Sequence, residues 1–256
     1  MARERLAGLL GGVAAGLAGG LFGVGGGILL IPILTGAFRL SQHQAHGTSL
    51  AVIGVTALAS LVVYGAHGNV AWATAALVGI ASVFTARYGA RLANRLSKRR
   101  LARSFAVFLI LVAARLLWKT PAGTGSLLSG VPGVLFDVVL GAAIGVLAGF
   151  MGVGGGILAV PAFALLLGMS QPLAQGTSLA VILVAGPSAA IEHHRHGNVV
   201  WRLVPLLALG AAVAAPAASW LAQSLPHQIL TRGFALFLVA NAIAGWIRAG
   251  RIPQAS

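Results

Sequence analysis

The sequence predicts an all-α polytopic membrane protein of two inverted repeats, each a broken, re-entrant helix hairpin followed by three transmembrane helices. Three observations predict it: an extreme apolar composition, a long internal duplication, and a one-sided distribution of Lys and Arg.

Composition comes first. The chain has 256 residues, of which 58% are hydrophobic and only 8% charged. Soluble domains are roughly a quarter charged, and there are too few polar residues here to cover a water-facing surface. The solvent must therefore be lipid. Cysteine is absent, which excludes disulfides and thiolate metal sites. Glycine is abundant at 36 residues, as expected where membrane helices approach closely or break. The net charge of +14 does not signal nucleic acid, because the Lys and Arg sit at the ends of apolar runs, where they anchor and orient spans. The opening Met-Ala-Arg-Glu-Arg and apolar run imitate a signal peptide, but no small-residue cleavage site follows, so the segment is expected to be retained.

The duplication comes second. Gly23-Val-Gly-Gly-Gly-Ile-Leu29 recurs as Gly152–Leu158, at an offset of 129. At the same offset Pro32 falls on Pro161, Gly47-Thr-Ser-Leu-Ala-Val-Ile53 on Gly176–Ile182, His67-Gly-Asn-Val70 on His196–Val199, and Trp72 on Trp201. Between Phe22 and Trp72, 24 of 51 positions are identical without a gap, which excludes chance. The first repeat is expected over residues 6–118, a linker over 119–132, and the second repeat over 133–248.

Within the first copy the apolar runs are Leu6–Phe38, Ala45–Tyr64, Val70–Ala86 and Leu101–Trp118. Three suit single spans of about 20 residues. The first is longer and is interrupted by three adjacent glycines, which a continuous helix tolerates poorly. Charge decides its topology. As a single span it gives four crossings per copy and places eight Lys/Arg on one side against nine on the other. As a hairpin of two short arms it gives three crossings and a ratio of fourteen to three. Cytoplasmic loops carry an excess of Lys and Arg, so the hairpin is the expected form. Odd parity turns the second copy upside down, a recurring plan of secondary transporters with binding near the midplane.

The motifs suggest what is bound. Irregular backbone at membrane depth persists only where it lines a cavity or is buried in protein. Consecutive glycines leave N–H groups uncovered at the start of a helix, the chemistry of an anion nest. Gly25, Gly26, Gly27 and Gly154, Gly155, Gly156 are thus candidate substrate-binding residues; the competing reading is a tight turn with close packing. Thr48, Ser49, Thr177 and Ser178 lie inside the second run of each copy, beyond the expected N-caps Ser41 and Ser170. Their hydroxyls are candidate donors to an oxyanion, or else back-bond and glue neighbouring helices. Asn69 and Asn198 read as helix caps, and Trp72 and Trp201 as interfacial anchors.

Several chemistries find no support. Only Glu192 adjoins His193, His194 and His196, so no metal site is expected. The acids are Glu4, Asp137 and Glu192 alone, which leaves a proton-coupling carboxylate without an obvious candidate. No nucleophile–base arrangement, phosphate-binding loop or dinucleotide fingerprint appears, so neither an enzyme nor a cofactor is expected.

The motif Gly-Val-Gly-Gly-Gly-Ile-Leu…Pro, followed by Gln-x-x-Ala-x-Gly-Thr-Ser-Leu, resembles the TauE/SafE family of bacterial membrane permeases, the sulfite exporter group. The resemblance covers about residues 6–247 in both copies. It implies passage of sulfite, sulfoacetate or a related small sulfur-containing anion across a bacterial inner membrane, with the lipid bilayer and a small anion as partners and no nucleic acid. It leaves the oligomeric state open, a homodimer included. The reading from another class is a non-transporting membrane assembly or scaffold protein, whose helix breaks would be packing devices.

Overall fold

The computed structural model describes residues 2–93, 98–118, 123, 130–151 and 155–250. Ten helices form among them: α1 (Ala2–Phe22), α2 (Gly27–Gly36), α3 (Gln42–Ala66), α4 (Trp72–Ala93), α5 (Lys98–Trp118), α6 (Val131–Met151), α7 (Gly156–Leu166), α8 (Gln171–Arg195), α9 (Val204–Ser224) and α10 (His227–Gly250). Six of them, α1, α3, α6, α8, α9 and α10, are long and apolar enough to cross a membrane. The chain is an all-helical, multi-pass membrane protein. Large apolar side chains such as Leu58, Val62, Phe84, Leu111, Val213 and Leu236 are exposed, as a lipid-facing surface requires.

The long first run breaks where three glycines adjoin. Gly8, Gly12, Gly16 and Gly20 are spaced by four and leave α1 continuous, whereas Gly23, Gly25 and Gly26 turn left-handed with φ of 69°, 70° and 79°. The chain then folds back on itself. A β-carbon on Gly26 would strike the carbonyl oxygen of Ala15, one on Gly11 would sit 3.2 Å from Ile33 Cγ2, and one on Gly8 would sit 4.0 Å from Phe38 Cζ. These pairs run in opposite directions along the sequence, so α1 and α2 form a hairpin. Its arms are unequal, unlike the two short arms expected. α1 has 21 residues, about 31 Å, against 10 residues in α2, about 15 Å. Regularly spaced glycines spare a helix that adjacent glycines end.

The spans expected from Val70 and Leu101 also differ from the expectation. α4 runs on to Ala93 through Arg87 and Arg91, and α5 begins at Lys98-Arg-Arg.

The repeats interleave. Along α1, β-carbons on Gly12, Gly16 and Gly20 would strike the carbonyls of Leu207, Ala211 and Ala215, so α1 lies parallel to α9 of the other repeat. The counterpart pairs hold at the same offset of 129: Gly141 abuts Val78 and Gly145 abuts Ser82, placing α6 along α4. Small residues at every fourth position let two backbones touch, the usual device for packing helices in lipid. The central helices α3 and α8 cross antiparallel, Gly47 against Asn198 and His193, Gly176 against Asn69 and Tyr64. The largest apolar core gathers around them and α7, including Ile53, Leu158, Phe163, Leu179 and Ile182.

Candidate functional site

The two glycine tips meet inside the protein. A β-carbon on Gly156, the first residue of α7, would sit 3.1 Å from Val24 Cα in the first tip. Two isoleucines at equivalent positions close over them. Ile53 reaches Gly25 and Gly27, and Ile182 reaches Gly25 and Gly156. All five residues from Gly23 to Gly27 are buried, as is Gly156. A surface cavity of about 420 Å³ lies elsewhere, at the base of the first hairpin, lined by Glu4, Ala7, Ala37, Phe38 and Arg39.

The first tip leaves its amides uncovered. The carbonyl of Gly26 accepts from the N–H of Leu29 and Leu30 at 3.1 and 3.2 Å, which starts α2. Among the described residues, the N–H groups of Gly25, Gly26, Gly27 and Ile28 meet no acceptor. They gather at the positive end of α2, a helix whose N-terminus carries about half an elementary charge. The second tip differs in detail. Gly155 has ordinary right-handed geometry with φ of −66°, is half-buried, and among the described residues has only the Ile144 and Ala148 side chains near its open side. Gly154, the remaining predicted glycine, lies outside the described residues.

The four hydroxyls divide into two pairs. Thr48 Oγ1 accepts from the Val200 N–H at 3.0 Å, and Thr177 Oγ1 accepts from the Ala71 N–H at 3.0 Å. Each thus caps a helix approach in the other repeat, the gluing role that the sequence left open beside anion contact. Asn69 and Asn198, expected as caps there, do not fill that role, and the Asn69 side chain turns instead to Gln223. The threonines displace them because the interleaving of α3 and α8 brings a hydroxyl from the facing repeat closer than the local side chain. Ser41 caps α3 with a full capping box shared with Gln44, whereas Ser170 starts α8 without a side-chain hydrogen bond.

The serines go to the tips. Ser178 Oγ donates to the Gly156 carbonyl at 3.3 Å. Ser49 Oγ lies 3.3 Å from where a Gly27 β-carbon would stand, is buried, and has no partner among the described residues. Buried hydroxyls nearly always find one.

Sequence reasoning missed the polar group behind the first tip. The Tyr64 hydroxyl reaches the Gly20 carbonyl at 3.0 Å and Gln175 Oε1 at 2.8 Å. Ser219 donates to the same carbonyl at 3.4 Å. Gln175 packs against Gly23, where a β-carbon would stand 2.6 Å from its Cα. Its Nε2 is buried without a partner among the described residues. A signal existed: at the offset of 129, Tyr64 matches His193 and Gln175 matches His46, so both positions stay polar inside otherwise apolar runs.

Most charged side chains among the described residues are exposed, but Asp137 on α6 is buried. Glu4 pairs with Arg202 at 2.8 Å, and Glu192 with His196 at 3.5 Å, all largely exposed. Among the described residues no cluster of three His, Asp or Glu is arranged to hold a metal ion. Trp72 and Trp201 are exposed beside the loops that they follow, as interfacial anchors would be.

Comparison with known proteins gives the chain its family. The family described as "Sulfite exporter TauE/SafE" matches residues 1–116 and 138–256, nearly the whole chain in two segments. The chain belongs to the TauE/SafE family. Its relatives carry the name "probable membrane transporter protein". One from Bacillus subtilis (strain 168), YunE, is 28% identical over 78% of this chain and 82% of its own. One from Xylella fastidiosa (strain Temecula1) is 28% identical over 91% of each chain, and one from Haemophilus influenzae is 28% identical over 92% of this chain and 95% of its own. No solved structure shows a significant match. Family and fold together make this TauE/SafE protein a membrane transporter.

Proposed function

We propose that this chain is a secondary permease of a bacterial inner membrane, and that it carries a small sulfur-containing oxyanion such as sulfite between the two glycine tips. One observation carries the reading: the backbone N–H groups of Gly25 to Ile28, three of them on buried residues, meet no acceptor among the described residues, where the two half-length helices α2 and α7 begin and meet. Buried donors without acceptors are costly, by roughly 1–3 kcal/mol each, and an oxyanion with several lone pairs relieves them together. No carboxylate among the described residues stands there to serve as nucleophile or base.

The reciprocal contacts support an inverted repeat. Two cross-repeat pairs, Gly12 with Leu207 and Thr48 with Val200, recur at the offset of 129 as Gly141 with Val78 and Thr177 with Ala71. The antiparallel crossing of α3 and α8 calls for a two-fold axis perpendicular to those helices, hence in the membrane plane. Rocking of one repeat against the other would then open the tips to each side in turn.

The deciding experiment is flux of labelled sulfite into proteoliposomes containing the purified protein. Saturable flux above empty vesicles is expected. Protein that is folded and inserted yet gives no flux, and no binding, would turn the tips into packing devices of a scaffold protein. Orientation is tested by labelling introduced cysteines in a chain that has none of its own. Lys98→Cys should react from the cytoplasmic side only; labelling from outside intact cells would overturn the inverted arrangement.

A further inference from the structure

We infer that the site between the tips is matched to an anion of a single negative charge, with Ser49 as a side-chain donor; this rests on the reading that an anion binds there. The first ground is a charge count. No Asp, Glu, Lys or Arg occurs from Leu6 to Phe38, from Leu40 to Ala86, from Val138 to Ile191 or from Leu203 to Thr231. Those stretches hold the tip sequences, all of α2, α3, α7 and α9, and most of α1, α4, α6 and α8; the cations of α5 and α10 lie outside them. No full positive charge is therefore carried by the tips or by α2, α3 and α7. What remains is partial: two helix N-termini, at Gly27 and Gly156, each equivalent to about half an elementary charge. Together they balance about one negative charge.

The second ground is dehydration. Ile53 and Ile182 press on both tips, and the surrounding core is apolar. Moving an ion out of water costs free energy that grows with the square of its charge, and only compensating groups offset it. A dianion would meet the larger cost with half its charge unmatched.

The third ground is a neutral donor. Ser49 is 1% exposed, and its Oγ has no partner among the described residues. It faces Gly27. The hydroxyl adds a hydrogen bond without adding charge, so it sharpens recognition of an oxyanion while leaving its preferred valence at one. Among sulfur oxyanions hydrogensulfite fits, and sulfite and sulfoacetate, each doubly charged, fit less well.

The test uses two tetrahedral probes of fixed charge, methanesulfonate with one and sulfate with two, on the full-length protein in detergent and in proteoliposomes. Methanesulfonate should bind, and inhibit sulfite flux, at least tenfold more strongly than sulfate. Sulfite affinity should rise as pH falls through its second ionisation, while methanesulfonate affinity stays flat. Sulfate binding as tightly as methanesulfonate would overturn the charge match yet leave an anion site in place. Failure of both probes and of sulfite to bind would instead remove the anion site itself. Ser49→Ala separates binding from folding, because deleting an unpartnered buried hydroxyl leaves stability unchanged or raised. Its melting temperature should equal or exceed that of wild type while methanesulfonate affinity falls severalfold. Wild-type affinity in folded Ser49→Ala would strike Ser49 from the site.

Discussion

Replacing glycine by alanine at the two tips should give opposite results for stability. At Gly26 the backbone is left-handed, with φ of 79°, and an added β-carbon would strike the Ala15 carbonyl of the opposing arm. The left-handed conformation costs an L-residue about 1–2 kcal/mol. Forcing the arms apart adds about 1–3 kcal/mol, as overpacking elsewhere does. The sum is roughly 2–5 kcal/mol, which lowers the melting temperature of a chain this size by roughly 4–20 °C. At Gly155 the backbone is right-handed, and the new methyl would meet Ile144 Cγ2 at 3.7 Å and Ala148 Cβ at 3.9 Å, both ordinary contacts. There the loss of unfolded-state freedom should make alanine neutral or slightly stabilising, by up to about 1 kcal/mol. Thermal melting of both purified variants checks the pair. Anion binding should weaken roughly tenfold in Gly155→Ala, about 1.4 kcal/mol, if its tip approaches the ligand. A Gly26→Ala protein that melts with wild type, or a Gly155→Ala protein destabilised as much as Gly26→Ala, would refute the geometry from which these figures come.

Thr48→Val and Thr177→Val should each cost about 1–3 kcal/mol, since each strands a backbone N–H of the facing repeat. The two sites lie at opposite ends of the α3–α8 pair, roughly 25 Å apart, so the double variant should be additive within about 0.5 kcal/mol in chemical denaturation. Replacing Lys98, Arg99 and Arg100 together by Gln should reduce correct insertion, as each surface charge contributes about 1 kcal/mol against anionic lipid. Sulfite affinity in the correctly inserted fraction should stay within about twofold; a large change would place these charges in the substrate path.

Much of this architecture is written in one dimension. The repeat offset, the break at the glycines and the return of the chain at Phe38 all follow from local rules about which backbones glycine permits. The capping box at Ser41 is equally local. What sequence could not rank was any choice that depends on the facing repeat. Thr48 reads equally as an anion donor or as glue, because a hydroxyl can serve either, and only the position of Val200 decides. Asn69 reads as a cap because the residue that takes its place, Thr177, lies more than a hundred positions away. Gln175 looks like any polar residue near a helix start until Tyr64 and Gly23 stand beside it. The length of α1 is instructive in another way. Counting glycines suggested fragility, but four glycines on one face form a packing ridge, and the ridge needs a partner that hydropathy does not reveal.

That partner sets a schedule for synthesis. The glycine ridge of α1 is made at the start of translation, and the α9 backbone that covers it emerges only when Leu207 to Ala215 are added. At roughly 5–20 residues per second the interval is on the order of 10–40 s. Through that time the first helix waits in the bilayer with an unfilled groove along one side, and the same holds in reverse for the shorter wait between α4 and α6. Neither half can complete its own packing before the other arrives. A chain that stops before α9 therefore leaves α1 with a bare ridge, open to mispairing or to the proteases that clear unassembled spans.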